Sequence, residues 1–355
     1  MRVMSTADAD TVYLDYASST PVRDGVKKAM EPYWSDVFAN PQSQHSSGKE
    51  ARAAVTDARE TIANMLSVQP SEIVFTSGAT EANALAVQGY LKTLDENWRR
   101  LITTQTAHSS QRHADAGIKT QKELLVGKDE GRLVPDQVTS AVVSDNDLIS
   151  IPYVNSEVLY LSVRPEDTGA DMMTTNSHKL YGPKGVGLLW VRSGTPMTSL
   201  LPTKKDQVVG DYQTLRPGTL PVPLIVGFAK ALELAQKNFQ KRAKQVSAVR
   251  DFALTELQKT FPEIVINGSV EHRVANNINV SFPAVDHDYL ATKLDKQGVI
   301  VSTASACQSG QSGSTTIKAL PSRSNSALRI SLGRDTNRAA IRRLVDTLEN
   351  IQKTD

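Results

Sequence analysis

Short apolar runs bounded by turn residues alternate with stretches of helical periodicity along most of this chain, and that alternation admits few architectures. The run Ile73–Thr76 passes through Ser77-Gly78-Ala79-Thr80-Glu81 into Ala82, Leu85, Ala86, Tyr90 and Leu91 at helical spacing. The pattern is strand, tight turn, helix. Upstream, Ser47-Gly48-Lys49-Glu50 has capping-box spacing, and Val55, Ala58, Ile62 and Leu66 form one apolar face, which predicts a helix from about 48 to 66. The runs 148–154, 172–175 and 186–191 read as buried strands. The fold class expected is α/β, a mostly parallel sheet with flanking helices.

Beyond Pro221 the pattern stays helical through Ala229, Leu232, Leu234 and Phe239 to Leu254 and Leu257, a stretch suited to bridging two units. The remainder has its own cues: strands at 277–282, 299–302 and 328–332, a helix at 289–296, and a last helix from about Thr336. That helix carries Ile341, Leu344, Val345, Leu348 and Ile351 on one face. The expected division is a large domain over 16–258 and a smaller α+β domain made of 1–15 and 259–355. A chain of 355 residues can bury roughly three quarters of its unfolded surface, enough for both.

Forty Lys and Arg against 38 Asp and Glu are interleaved rather than gathered into a stripe, which argues against nucleic acid as the ligand. The longest nearly apolar stretch, 220–229, is far short of the roughly 20 residues that span a bilayer. The first eleven residues carry Arg2, Asp8 and Asp10 and no apolar run, so a cytoplasmic location is expected. Cys307 is the only cysteine, which excludes internal disulfides and multi-cysteine metal sites.

Three local features can carry chemistry. The turn 77–80 at a helix start offers free N–H groups and the positive end of a helix dipole to an anion, with a plain βα turn capped by Thr80 as the alternative. Lys179, in Thr174-Thr175-Asn176-Ser177-His178-Lys179, follows a buried strand and precedes Leu180-Tyr181-Gly182-Pro183-Lys184-Gly185. A lysine of lowered pKa there can form a Schiff base with an aldehyde cofactor, and a solvated lysine at a strand end is the alternative. Cys307 lies in a run of small polar residues and glycines, 301–314. A thiolate on such a loop can serve as a nucleophile, whereas most free cysteines are buried small hydrophobes.

Taken in order, these stretches resemble the cysteine desulfurases of the class V aminotransferase group, fold type I pyridoxal phosphate enzymes. The resemblance rests on Tyr13-Leu14-Asp15-Tyr16-Ala17-Ser18-Ser19-Thr20-Pro21, on Asn40-Pro41-Gln42-Ser43 with His45 and Gly48, and on Thr76-Ser77-Gly78-Ala79-Thr80-Glu81-Ala82-Asn83. It continues through Ser177-His178-Lys179, Arg216-Pro217-Gly218-Thr219, Ser305-Ala306-Cys307 and Arg329-Ile330-Ser331-Leu332-Gly333-Arg334.

The resemblance implies a fold type I transferase and a role for each matching residue. Lys179 would hold pyridoxal 5'-phosphate and shuttle the substrate α-proton. His108 would stack on the pyridine ring, with His113 as the competing histidine. Ala79 and Thr80 would bind the phosphate with His178 and, across a homodimer interface, Thr219 of the second copy. Asn176, also expected to bind the cofactor, stands where the family usually has serine, a change that keeps a donor. Asn155 would hydrogen-bond the phenolic oxygen. Arg329 would clamp the carboxylate of L-cysteine, with a structural salt bridge as the alternative. Cys307 would take the substrate sulfur as a persulfide, release alanine, and pass the sulfur to an acceptor such as an iron-sulfur scaffold or a tRNA-thiolation protein.

The chain departs from the family in one stretch. Only 23 residues separate Asn155 from Lys179, where the family has a helix and a strand carrying an aspartate beneath the pyridine nitrogen and a nearby glutamine. Loss of one preorganised charge of that kind costs about 3 to 4 kcal/mol in a barrier. Glu157, Glu166 and Asp167 are the carboxylates close in sequence. Two smaller departures are Val208-Val209-Gly210, where the family is glycine-rich, and Ala304 in place of a glycine before the cysteine loop. The readings that follow are a working cysteine desulfurase, a catalytically impaired scaffold of the same architecture, or a selenocysteine lyase. An aminotransferase is disfavoured by the Cys307 loop.

Overall fold

Ala51, Ala54, Val55, Ala58, Ile62 and Leu66 recur every three or four residues, and burying that stripe drives the first long helix. The computed structural model describes residues 11–127, 135–152, 168–203, 208–283, 285–303 and 327–354. In it this helix spans Ser46–Leu66 and starts two residues earlier than the capping-box spacing suggests. The His45 ring is the cap: its Nδ1 accepts from the Gly48 N–H at 3.1 Å. Ser67 ends the helix in the left-handed region, φ 57°.

The strands in chain order are β1 (Val12–Tyr13), β2 (Ile73–Thr76), β3 (Arg100–Thr104), β4 (Gln121–Leu125), β5 (Leu148–Ile149), β6 (Met172–Asn176), β7 (Gly187–Val191), β8 (Val265–Ile266), β9 (Asn277–Ser281), β10 (Val299–Ile300) and β11 (Leu328–Ser331). The helices are α1 (Asp24–Met30), α2 (Pro32–Ser35), α3 (Ser46–Leu66), α4 (Ala79–Leu91), α5 (Ser109–Arg112), α6 (Pro135–Ala141), α7 (Val222–Gln236), α8 (Phe239–Thr260), α9 (His287–Lys296) and α10 (Arg338–Thr354).

β3 pairs in parallel with β4 on one side and β5 on the other. β2 and β6 run parallel to each other, with β7 antiparallel between them. Side chains alternate across β2 and β7, as a pleat requires. Ile73, Phe75, Leu188 and Trp190 face α3 and α7, whereas Val74, Leu189 and Val191 face Ala82, Leu85 and Ala86 of α4. Among the described residues, no ladder joins β5 to β6, so the sheet consists of two three-stranded pieces.

Sequence pattern missed β3 and β4 because neither is an apolar run. Arg100 opens β3, and its guanidinium is held by Glu123 and by Asp147, the latter at 2.5 Å. β4 exposes most of its side chains. The long helical stretch after Pro221 is two helices rather than one. Asn238 turns the chain at φ 63°, and Arg242 of α8 donates back to the carbonyl of Leu234 at 2.8 Å.

A separate core joins Val246, Ala253, Leu254 and Leu257 of α8 to Ile278, Val280, Leu290, Ile330, Leu344 and Leu348, and it includes Leu14 from the start of the chain. β8, β9 and β11 form an antiparallel sheet there, while β1 pairs in parallel with β10. Among the described residues, no helix is long and apolar enough to cross a membrane.

Candidate active site

Register across the β2-β7-β6 sheet brings the sequence features together. Gly187, at the start of β7, lies opposite Thr76 at the end of β2 and opposite Asn176 at the end of β6. The turn into α4 and the turn bearing Lys179 therefore leave the same sheet end, side by side. In open α/β sheets that carboxyl end is where ligands bind. Gly187 permits the approach: a Cβ there would sit 2.7 Å from the Gly78 backbone and 2.8 Å from the Thr175 oxygen. Gly187→Ala is expected to cost about 2 to 3 kcal/mol in urea unfolding, because the obstruction is backbone and cannot rotate away.

At the first turn of α4 stand Ala79 and Thr80, after Gly78. Glu81 folds back so that its carboxylate accepts from the Ser77 N–H at 2.6 Å and pairs with Arg216 at 3.2 Å. Burial pushes the Glu81 carboxyl up, but the Ser77 hydrogen bonds and Arg216 outweigh it and leave the pKa below the ordinary value. The Arg216 charge thus offsets the carboxylate beside the helix start.

Lys179 closes the short turn Ser177–Lys179 that follows β6. Its Nζ donates to the carbonyl of Ala17 and, at 3.1 Å, to that of Ser18. Arg329 comes from β11 and meets the same segment, donating to Asp15 Oδ1 at 2.9 Å and Ser18 Oγ at 2.8 Å. The salt bridge weighed for Arg329 is therefore present, and its guanidinium is buried. The loop 15–18, following β1, joins the amine to the guanidinium. Ser177 is fully buried, and its Oγ finds no hydrogen-bond partner among the described residues. A Cβ on Gly182 would lie 2.0 Å from that oxygen, the reason for glycine in Tyr181-Gly182-Pro183.

His108 caps α5 and His113 follows it. His113 is exposed, whereas His108 is half-buried and within the field of Lys179. Burial, then Lys179 and Arg112, lowers the His108 pKa. His178 is pushed down to about 4 by burial, Lys179 and Lys184. In both imidazoles the shift favours the neutral form. Thr219 is exposed, and its hydroxyl lies 3.4 Å from the Asn40 amide nitrogen, which donates to it. Asn176 has its Oδ1 buried without a partner among the described residues. Asn155 and Cys307 lie outside the described residues, as do Glu157, Glu166 and Asp167.

Three side chains to which the motifs gave no role belong to this region. Thr174 on β6, Asn83 on α4 and Ser110 on α5 are hydrogen-bonded in sequence up to His108. The available signal was Asn83, an amide one turn after Thr80 on the helix face that otherwise packs Ala82, Leu85 and Ala86.

Comparison with known proteins gives the family. The chain matches the aminotransferase class V family over residues 12–159 and 156–344, two segments that meet at 156–159. The protein named cysteine desulfurase IscS of Dictyoglomus turgidum is 32% identical, covering 96% of this chain and 94% of its own. That alignment runs over 375 residues, more than the 355 of this chain, so the relative carries residues that this chain lacks. A solved NifS-like protein superposes with a TM-score of 0.86 at 26% identity, over 97% of this chain and all of its own. SspA, solved in complex with cysteine, superposes with a TM-score of 0.72 at 29% identity, over 91% and 99% of the two chains. With a family match and a relative that both run almost end to end, the chain belongs to the class V aminotransferase family, in its cysteine desulfurase branch.

Proposed function

We propose that this protein removes sulfur from L-cysteine, releasing L-alanine and carrying the sulfur on Cys307. The observation that carries the reading is the convergence of Lys179 and Arg329 on one loop, an amine for a carbonyl and a guanidinium for a carboxylate. The branch to which the chain belongs uses pyridoxal 5'-phosphate, and the donor set fits it. A 13-residue helix starts at Ala79 next to the lysine turn, its first N–H groups suited to a phosphate. The Asn176 Oδ1 is an acceptor and does not add to that cradle.

Pyridoxal phosphate, when bound, supplies an aldehyde that condenses with primary amines and a ring that spreads the electrons released at the adjacent carbon. Lys179 Nζ is the group to hold it; to do so the amine gives up the Ala17 and Ser18 carbonyls. The same amine, once free, is the base for the α-proton. Arg329 orients the substrate by its carboxylate, in exchange for the Asp15 and Ser18 contacts. Ala79, Thr80, His178 and Asn155 would hold the cofactor, with Thr219 from a second copy in a homodimer. The Cys307 thiolate takes the sulfur as a persulfide for an acceptor such as an iron-sulfur scaffold.

Turnover measured with added cofactor, as alanine formed and sulfide released under reductant, tests the reading. Alanine without dependence on the cofactor, or no alanine at all, overturns it. Arg329→Lys keeps a charge but loses the planar fork, so KM for L-cysteine is expected to rise about 10- to 100-fold with a smaller change in kcat. Steady-state kinetics on the two proteins measures both terms.

A second reading, an impaired enzyme that serves as a scaffold, is favoured by one observation. The family match divides at 156–159, and β5 and β6, the strands on either side of that stretch, share no ladder among the described residues. Bound cofactor without alanine would select it. The division into 16–258 and 1–15 with 259–355 is part of the same proposal. The core that unites Leu14 with the C-terminal strands supports it and draws α8, from Val246 onward, into the smaller unit.

A further inference from the structure

Four side chains from three elements form one directed chain of hydrogen bonds ending on the His108 ring. The Thr174 hydroxyl donates to Asn83 Oδ1 at 2.6 Å. The Asn83 amide nitrogen donates to Ser110 Oγ at 2.9 Å. Ser110 Oγ lies 2.9 Å from His108 Nδ1, and the Ser110 backbone N–H donates to the same Nδ1 at 3.1 Å. A backbone N–H can only donate, so Nδ1 is an acceptor and carries no proton. With the Asn83 N–H occupying a lone pair of Ser110 Oγ, the serine proton is directed at Nδ1. Each hydrogen bond in the chain pairs a donor with an acceptor, without conflict.

We propose that Ser110, oriented by Asn83 and Thr174, is a positioning residue that fixes His108 as the neutral tautomer protonated on Nε2. The inference rests on the reading of His108 as an active-site histidine and deepens it. Held this way, His108 presents a hydrogen-bond donor at Nε2 and has its only basic nitrogen occupied twice over. It serves as a plate and a donor, and the proton taken from the substrate goes to Lys179. Thr174 sits five residues before Lys179 on the same run of chain, so the relay ties the ring to the strand that delivers the amine. The charges felt at His108, Lys179 from the end of β6 and Arg112 on its own helix, both oppose protonation.

Nitrogen-15 NMR of the full-length protein labelled at histidine tests this without any turnover. The chain has six histidines, and His108→Gln identifies the signals of interest by their loss. At neutral pH His108 is expected to show a protonated Nε2 and an unprotonated Nδ1. Ser110→Ala leaves the backbone cap in place. It is expected to move the Nδ1 resonance toward that of a nitrogen with one bond fewer and to raise the protonation constant about fivefold, the worth of an ordinary hydrogen bond. A proton on Nδ1 in the wild type, a charged ring at neutral pH, or an Nδ1 resonance unmoved by Ser110→Ala overturns the proposal. None of these depends on desulfuration, whose failure would appear instead as absent alanine with the NMR signature intact.

Discussion

Lys179→Ala is expected to lower alanine formation at least about 10³-fold and to abolish the visible absorbance that pyridoxal phosphate acquires on condensing with an enzyme amine. Two functions are lost together, the covalent tether and the base for the α-proton. Among the described residues, no second amine is seen on the Ala17 and Ser18 carbonyls. Lys184, the next amine along the chain, is exposed and lies beyond the Leu180-Tyr181-Gly182 turn. The protein itself should still fold, since Thr20 holds the lysine turn through the His178 carbonyl and Arg329 holds the loop 15–18 through Asp15 and Ser18, contacts that do not pass through the amine. Absorbance spectra and alanine assays on the two proteins distinguish the outcomes: turnover retained in the variant would sink the assignment of the amine.

Cys307→Ala is expected to stop sulfur transfer by a similar factor while leaving the cofactor spectrum and the response to L-cysteine in place. The reasoning is chemical. Sulfur must leave the substrate to a nucleophile that can hold it, and water or a hydroxyl does not form a stable bond to it as a thiolate does. With Cys307 replaced the chain contains no thiol, so no neighbouring cysteine can take over. Counting persulfide per chain after a single addition of L-cysteine gives one in the wild type and none in the variant. A variant that still accumulates protein-bound sulfur would remove Cys307 from the reaction.

Much of this protein was legible in its residues. The strands β2 and β7 could be read because each is a short run buried on both faces, and β6, though only partly buried, because its run of methionines and threonines has the same look. α3 and α10 could be read because each buries one stripe against a core. β3 and β4 could not, since neither is an apolar run: Leu101 and Ile102 of β3 stand between Arg100 and two threonines, and β4 exposes Gln121, Lys122 and Leu124. The break at Asn238 was equally silent: the helical period continues through it, and only the left-handed backbone and the return of Arg242 to the α7 carbonyls reveal two helices.

The residues alone pointed to Lys179, Cys307 and the α4 turn, and the family resemblance added Arg329 and His108, because a functional group has to be a particular residue type, and residue types are what a sequence records. The convergence of Lys179, Arg329 and the α4 turn was a matter of register and crossing: Gly187 lies opposite both Thr76 and Asn176, and the loop 15–18 reaches across more than 300 residues of chain to Arg329. The tautomer of His108 belongs to the tertiary structure still more fully. It follows from hydroxyls and an amide on three elements whose separation in sequence carries no sign that they meet, because hydrogen bonding depends on distance and direction in space, which only the packed chain supplies.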